Sequence, residues 1–210
     1  MEDASSRPAV TVYCASARGV DAAHLAAAGA FGRALAQSNL NLVYGGGGIG
    51  LMGELARSAQ RHGAHVTGII TEQFLALEQG WTGCDELVVV GSMRERKQRM
   101  EDLGSAFAVL AGGLGTWEEF FETLVGRVIG RHAKPIGILN TNGFAVPLRQ
   151  LIAHGVEQGF VRDAALDLLL VHDEPAGLVE QLARALAVTD PTPHDPQRML
   201  PMHGPHEGRR

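Results

Sequence analysis

The sequence predicts an α/β fold, a doubly wound parallel sheet in a single domain, and three observations carry that expectation. Short apolar runs alternate with amphipathic segments along most of the chain, as strands do when crossover helices join them. Two of those runs, ending at Tyr44 and Leu110, pass through glycines straight into a helical segment, the junction found at the carboxyl edge of open α/β sheets. The length of 210 residues, 45% of them hydrophobic, suits one domain with a substantial core.

In chain order, strands are expected over residues 9–14, 41–44, 65–70, 86–90, 106–110, 135–139 and 168–171, each a short apolar run. Helices are expected over 21–37, 50–62, 93–103, 117–129, 144–158 and 176–187. The stretch from 71 to Gly83 reads as a turn-rich loop. Ser92 with Glu95 has the spacing of a capping box and places a helix start at Met93. Thr116 with Glu119 has the same spacing, which makes Thr116 an N-cap and starts the next helix at Trp117. The nucleotide-binding domain is expected over 9–187, with a flexible N-terminus at 1–8 and a disordered tail at 188–210 rich in Pro, His, Asp and Arg.

A formal charge of −5 argues against a dedicated nucleic-acid or anionic-membrane surface. No apolar run is long enough to span a bilayer, and the acidic start Met1-Glu2-Asp3-Ala4 is unlike a signal peptide, so a cytoplasmic protein is expected. Cys14 and Cys84 lie far apart without metal-ligand spacing and read as reduced thiols. The histidines are scattered, and His194, His203 and His206 fall in the tail. Spacing therefore builds neither a metal site nor a Ser/His triad.

The chemistry concentrates at the glycine junctions. In Gly112-Gly113-Leu114-Gly115-Thr116-Trp117-Glu118-Glu119, backbone N–H groups freed by the glycines can converge on a phosphate at the positive end of a helix. The run Tyr44-Gly45-Gly46-Gly47-Gly48-Ile49-Gly50 repeats the pattern after an earlier strand. Neither junction ends in Gly-Lys-Ser/Thr, so Mg-nucleoside-triphosphate chemistry is not indicated. The first strand–helix unit carries Val12-Tyr13-Cys14-Ala15-Ser16-Ala17-Arg18-Gly19 in place of a dinucleotide fingerprint, which leaves NAD as an alternative that this unit does not favour.

Between the junctions, Met93, Met100 and Leu103 form a helical stripe, and Arg96 falls inside it. A guanidinium cannot shed its proton, so an inward arginine needs a carboxylate or a bound phosphate; Arg94 and Arg99 point to solvent. Only two lysines occur. Lys97 adds positive charge beside Arg96, and Lys134 reads as a solvated loop residue. A pyridoxal enzyme needs a Schiff-base lysine, for which Lys97 and Lys134 are the sole candidates, and no cofactor is expected.

The runs 44–53, Met93-Arg94-Glu95-Arg96-Lys97, 112–119 and 134–140 together resemble the LONELY GUY family of cytokinin riboside 5′-monophosphate phosphoribohydrolases, over residues 9–158. Many members carry the older label of lysine decarboxylase, which the resemblance implies is misleading. It implies a homodimeric, Rossmann-like hydrolase that splits a nucleoside 5′-monophosphate such as AMP or N6-prenyl-AMP into free base and ribose 5-phosphate. The matching positions make Arg96 and Glu119 the catalytic pair. Glu78, Lys97, Gly46, Gly47, Gly112, Gly113, Leu114, Gly115, Thr116, Trp117 and Glu118 would bind substrate with Arg96. Periodicity alone places Glu119 opposite the apolar stripe of its helix, so its role comes from the resemblance. The chain departs from the family in having Ala111 for a proline, Arg94 for a histidine and Val125-Gly126-Arg127-Val128 for Thr-Trp-Ala-Gln. Those changes leave the choice among bases open. A nucleotide or molybdenum-cofactor carrier of similar fold is the alternative, and it would have no need of both Arg96 and Glu119.

Overall fold

The computed structural model describes residues 4–77 and 80–188. Seven strands, β1 Ala9–Tyr13, β2 Asn41–Tyr44, β3 Val66–Thr71, β4 Glu86–Val90, β5 Ala106–Val109, β6 Ile136–Leu139 and β7 Leu169–His172, form one parallel sheet in the order β4-β3-β2-β1-β5-β6-β7. The chain winds outward from β1 to β4, returns to lay β5 against the other side of β1, and winds outward again. Strand order thus reverses between β1 and β5, and their carboxyl ends diverge into the crevice where such sheets bind ligands.

Alternation along the strands sends side chains to two cores. Val10, Val12, Leu42, Tyr44, Ala106 and Ala108 pack on one face with Phe31 and Leu35 of α1 (Ala22–Gln37), Leu51 and Leu55 of α2 (Gly50–Arg61) and Leu178 and Leu182 of α8 (Pro175–Val188). Tyr13, Val43, Phe107, Val109, Ile136 and Ile138 pack on the other with Met100 of α4 (Met93–Leu103), Phe120 and Leu124 of α5 (Leu114–Val128) and Ile152 of α6 (Val146–Glu157). Both faces are covered, so the inner strands read as continuous apolar runs.

Several expectations need correction. Residues 72–77, read as loop, form the short helix α3 (Glu72–Leu77), with the Thr71 hydroxyl accepting from the Phe74 N–H at 3.2 Å. A further short helix, α7 (Ala164–Asp167), lies between α6 and β7. Helix α5 begins at Leu114, three residues before the expected start; its N-cap is Gly113, and Thr116 is buried within the first turn. Leu103 ends the α4 stripe 45% exposed. Lys134 is half-buried and not solvated: its ammonium donates to the Glu101 carbonyl and lies 5.6 Å from the centre of the Phe107 ring. At the N-terminus, Ala4–Ser6 form a 3-10 turn, and the Pro8 carbonyl accepts from the Asn41 N–H at 2.9 Å. Of the expected tail, Val188 closes α8 and the rest lies outside the described residues.

The same edge of the molecule carries a pH-sensitive group. His132 is held between Phe107, 5.3 Å away, and the Thr123 carbonyl, which accepts from Nε2 at 3.0 Å. Burial pushes its pKa down to about 4, the Thr123 bond opposes this, and the charges of Lys134, Arg127 and Arg131 push it further down. The unfolded chain, with histidine near 6.5, binds more protons than the folded one in this window, so stability rises with pH across it. The contribution is therefore complete above pH 6.5 and is lost on acidification toward pH 4. Urea midpoints should fall between pH 7 and pH 5, and His132→Gln should flatten that dependence; equal slopes in the two proteins would contradict the assignment.

Candidate active site

The crevice between β1 and β5 is a cleft of about 320 Å³. Its lining joins five segments: Cys14 to Ala17 after β1, Met52 of α2, Phe74 of α3, Met93 and Arg96 of α4, and Gly113, Gly115, Thr116 and Glu119 at the start of α5. Larger hollows lie elsewhere, one beside α1 and another, almost wholly apolar, between α5 and α6. Neither contains a buried ion pair, which makes the β1–β5 cleft the candidate site.

Arg96 and Glu119 are 6% and 7% exposed and form an ion pair with Nη1 3.3 Å from Oε1. Helical spacing turns Arg96 inward, and the structure supplies the anion such a residue requires: a carboxylate from the facing helix. The guanidinium is held from several directions. Nε donates to the Ile69 carbonyl at 2.9 Å, Nη2 to the Gly45 carbonyl at 3.1 Å, and Nη1 also lies 3.5 Å from the Met93 sulfur. Glu119 sits inside the helix packing, contrary to its expected place opposite the apolar stripe. The wall of the cleft reaches round α5 there, and a periodicity that weighs apolar residues alone cannot register a carboxylate buried by an ion pair.

The two glycine junctions do different things. At the second, the first intrahelical bond runs from the Trp117 N–H to the Gly113 carbonyl at 3.0 Å. The N–H groups of Leu114, Gly115 and Thr116 precede it and meet no acceptor among the described residues, which leaves a helix N-terminus open at the cleft. Gly112 is required beneath it, because a Cβ there would come within 2.5 Å of the Thr116 Cβ. At the first junction carbonyl groups are engaged. The Gly45 carbonyl receives Arg96, the Gly46 carbonyl accepts from the Trp81 N–H at 2.9 Å, Gly47 bridges to Gly80, and the Gly48 carbonyl accepts from Arg57 Nη1 at 3.0 Å. The Met52 N–H in the first turn of α2 donates to the Ala15 carbonyl at 3.1 Å. Gly46 and Gly47 are buried and stand outside the cleft lining. The carbonyls of this junction seat Arg96 and Arg57, and the start of α2 holds the β1 turn, whereas the start of α5 opens its amides to the cleft.

The remaining residues from the sequence reading separate. Lys97 turns to the rim, where its ammonium contacts Glu118 and lies 2.8 Å from Glu122. Burial opposes that charge, but the bonds to Glu118 and Glu122 outweigh it and raise the pKa above the ordinary lysine value. Leu114 and Glu118 are exposed, and Trp117 lines the apolar groove on the far side of α5. Glu78 lies outside the described residues. Neither lysine lines the cleft, so no amine stands ready there for a pyridoxal Schiff base. Phe74, Met52 and the 14–17 turn are lining residues that sequence reasoning missed. The topology could have offered the turn, since the end of β1 must border the switch point. Phe74 had no signal once its helix was read as loop.

The family described as "Possible lysine decarboxylase" matches residues 52–182. A cytokinin riboside 5′-monophosphate phosphoribohydrolase of Rhodococcoides fascians is 42% identical over 180 residues, which cover 84% of this chain and 91% of that protein. One from Arabidopsis thaliana is 35% identical over 173 residues, covering 82% and 80%. Among solved structures, the molybdenum cofactor binding protein of Rippkaea orientalis superposes with a TM-score of 0.68 at 18% identity, covering 86% of this chain and 98% of that one. The molybdenum cofactor carrier protein of Chlamydomonas reinhardtii gives 0.65 at 20%, covering 86% and 99%. At that identity the two structures share the Rossmann-like fold alone, while the sequence relatives extend across nearly the whole described domain. A lysine-free cleft with a buried arginine–glutamate pair thus accompanies sequence likeness to phosphoribohydrolases, and this chain belongs to the cytokinin riboside 5′-monophosphate phosphoribohydrolase family.

Proposed function

We propose that this chain hydrolyses the N-glycosidic bond of nucleoside 5′-monophosphates such as AMP and N6-prenyl-AMP, releasing free base and ribose 5-phosphate. The observation that carries the reading is the sharing of one cleft by the Arg96–Glu119 pair and the open N-terminus of α5. A phosphate accepts from the amides of Leu114, Gly115 and Thr116 and is favoured by the helix dipole. That anchor leaves the ribose beside Glu119, less than two turns along α5, and directs the base toward Met52, Phe74 and Met93.

Cleavage of the C1′–N9 bond develops positive charge on the sugar, and a carboxylate beside C1′ stabilises it. Water adds to C1′ and gives a proton to Glu119, the electron pair of the broken bond leaves with the base, and the base takes up a proton from solvent while Glu119 returns its own to solvent. Arg96, fixed by two backbone carbonyls, keeps Glu119 charged and oriented and offsets negative charge on the departing group. We infer a cytoplasmic homodimer: Trp117, Val125 and Leu151 expose apolar surface on α5 and α6, Cys14 and Cys84 are not joined in a disulfide, and no helix among the described residues is long and apolar enough to cross a membrane.

Incubation with AMP and with N6-isopentenyl-AMP should release base and ribose 5-phosphate in equal amounts. Adenosine has no phosphate for the α5 amides to bind and should react at least ~100-fold more slowly. Tight nucleotide binding with no base released would instead favour a carrier.

A further inference from the structure

We propose that Phe74 is a specificity-determining residue: its ring walls the base end of the cleft and sets a preference for adenine nucleotides with an apolar substituent on N6 over AMP itself. The proposal rests on the phosphoribohydrolase reading above and adds the choice of base that the sequence left open. In the strand order β3-β2-β1-β5, the start of α5 and the end of β3 stand three strand spacings apart, ~14 Å across the crevice. A nucleotide with its phosphate at α5 and its ribose beside Glu119 therefore points its base toward β3. The side chains on that side are Met52, Met93 and Phe74. Met93 Sδ lies 3.5 Å from Arg96 Nη1, and a Cβ on Gly45, just past β2, would meet the Met52 methyl at 3.0 Å, so both thioethers lie beside the guanidinium. Phe74 comes from the helix that follows β3.

The lining limits what this end of the cleft can read. Apart from the Arg96–Glu119 pair, whose charges face each other, no ionised side chain and no side-chain amide lines the cleft among the described residues. Its hydroxyls belong to the α5 end. Thr116 is in the first turn of that helix, and the turn bearing Ser16 is tied to the same junction by the Ala15 N–H, which donates to the Ala111 carbonyl at 3.1 Å. The far edge of a base thus meets carbon and sulfur, where an apolar N6 group gains contact and a bare exocyclic amine gives up water for nothing.

Phe74 is fixed at both sides of its helix. The Thr71 hydroxyl, on a residue 3% exposed, accepts from the Phe74 N–H at 3.2 Å, and α3 begins directly at the end of β3. Past α3 the chain returns to the first glycine run: the Gly80 N–H donates to the Leu75 carbonyl at 3.1 Å, Gly47 bridges to Gly80, and the Trp81 N–H donates to the Gly46 carbonyl. A Cβ on Gly80 would come 2.4 Å from Leu75 Cδ1, so the return packs directly on α3. The run 45–48 thereby serves the base end of the cleft. A wall held in this way discriminates, because it neither retreats from a substituent nor closes over a missing one.

The test measures kcat/KM for N6-isopentenyl-AMP and for AMP, and Kd for both nucleotides and for ribose 5-phosphate by calorimetry, in wild type, Phe74→Ala and Phe74→Leu. Wild type should favour the isopentenyl nucleotide by ~10-fold or more, Phe74→Ala should remove roughly 10-fold of that preference, and Phe74→Leu, which keeps an apolar wall, should retain most of it. Ribose 5-phosphate has no base, and its Kd should stay within ~2-fold in both variants, which a general loosening of the fold would not allow. Absence of a preference in wild type, an unchanged preference in Phe74→Ala, or a loss shared equally by AMP and ribose 5-phosphate overturns the proposal. Absence of wild-type turnover refutes the hydrolase reading instead, and the ratio of the two nucleotides' Kd values then decides for or against Phe74 in the same proteins.

Discussion

Glu119→Gln is expected to reduce turnover of AMP by roughly 10²- to 10⁴-fold while nucleotide binding persists. The amide keeps the size of the side chain, and its carbonyl oxygen can still accept from Arg96 Nη1. What disappears, in the proposed mechanism, is the negative charge beside C1′ and the proton acceptor for water. The α5 amides proposed to hold the phosphate are untouched, so a change in Kd for AMP as large as the change in kcat would show that Glu119 binds substrate and does no chemistry. Arg96→Ala should be as inactive but for a mixed reason, because it leaves a carboxylate that is 7% exposed without its cation and two backbone carbonyls without their donor. Breaking a buried pair costs ~3–5 kcal/mol, on the order of a 10 °C fall in the unfolding midpoint for a chain of this size. The isosteric glutamine is therefore the cleaner probe of chemistry.

Gly45→Ala should have the next largest effect, on a residue that makes no contact with substrate in the proposed reading. A Cβ at this position would stand 2.1 Å from Arg96 Nη2 and 3.0 Å from the Met52 methyl. Met52 can move, but the guanidinium is fixed on its other sides by the Ile69 carbonyl and Glu119. Something over an ångström of displacement is needed, the bond to the Gly45 carbonyl is broken, and Glu119 moves with its partner. A loss of about 100-fold in kcat is expected for a shift of this size at the proposed catalytic pair, with ~1–3 kcal/mol of destabilisation from overpacking. Full activity in Gly45→Ala would mean that the seat of Arg96 is not part of the machinery.

These two substitutions mark where the sequence was readable. Arg96 could be picked out because an arginine within an apolar stripe violates the helical pattern, and a violation of that kind demands a partner. Its partner could not be found the same way. Glu119 comes from a helix 23 positions on, and local periodicity carries no information about which facing side chain satisfies a buried charge. The glycine junctions looked alike, since both give strand, glycines and helix. Only the folded chain shows that one has its carbonyls engaged by Arg96, Trp81 and Arg57 while the other leaves amides open. The misplaced start of α5 has a similar origin: Thr116 and Glu119 carry a capping-box signature, but the chain leaves β5 in a direction that lets Gly113 cap the helix a turn earlier and buries both residues.

The seven strands, the six longer helices between them and the parallel sheet were legible in the sequence, because short apolar runs and period-3.6 patterning act through near neighbours and survive without knowledge of the whole. The pairing across the cleft was decided by tertiary structure alone: the Arg96–Glu119 contact, the Lys97 bridge, Phe74 at the rim and the different fates of the glycine turns. Each depends on how distant segments meet at the β1–β5 switch point. Electrostatic and hydrogen-bond partners are chosen by distance in space, and that distance is set only once the sheet has assembled.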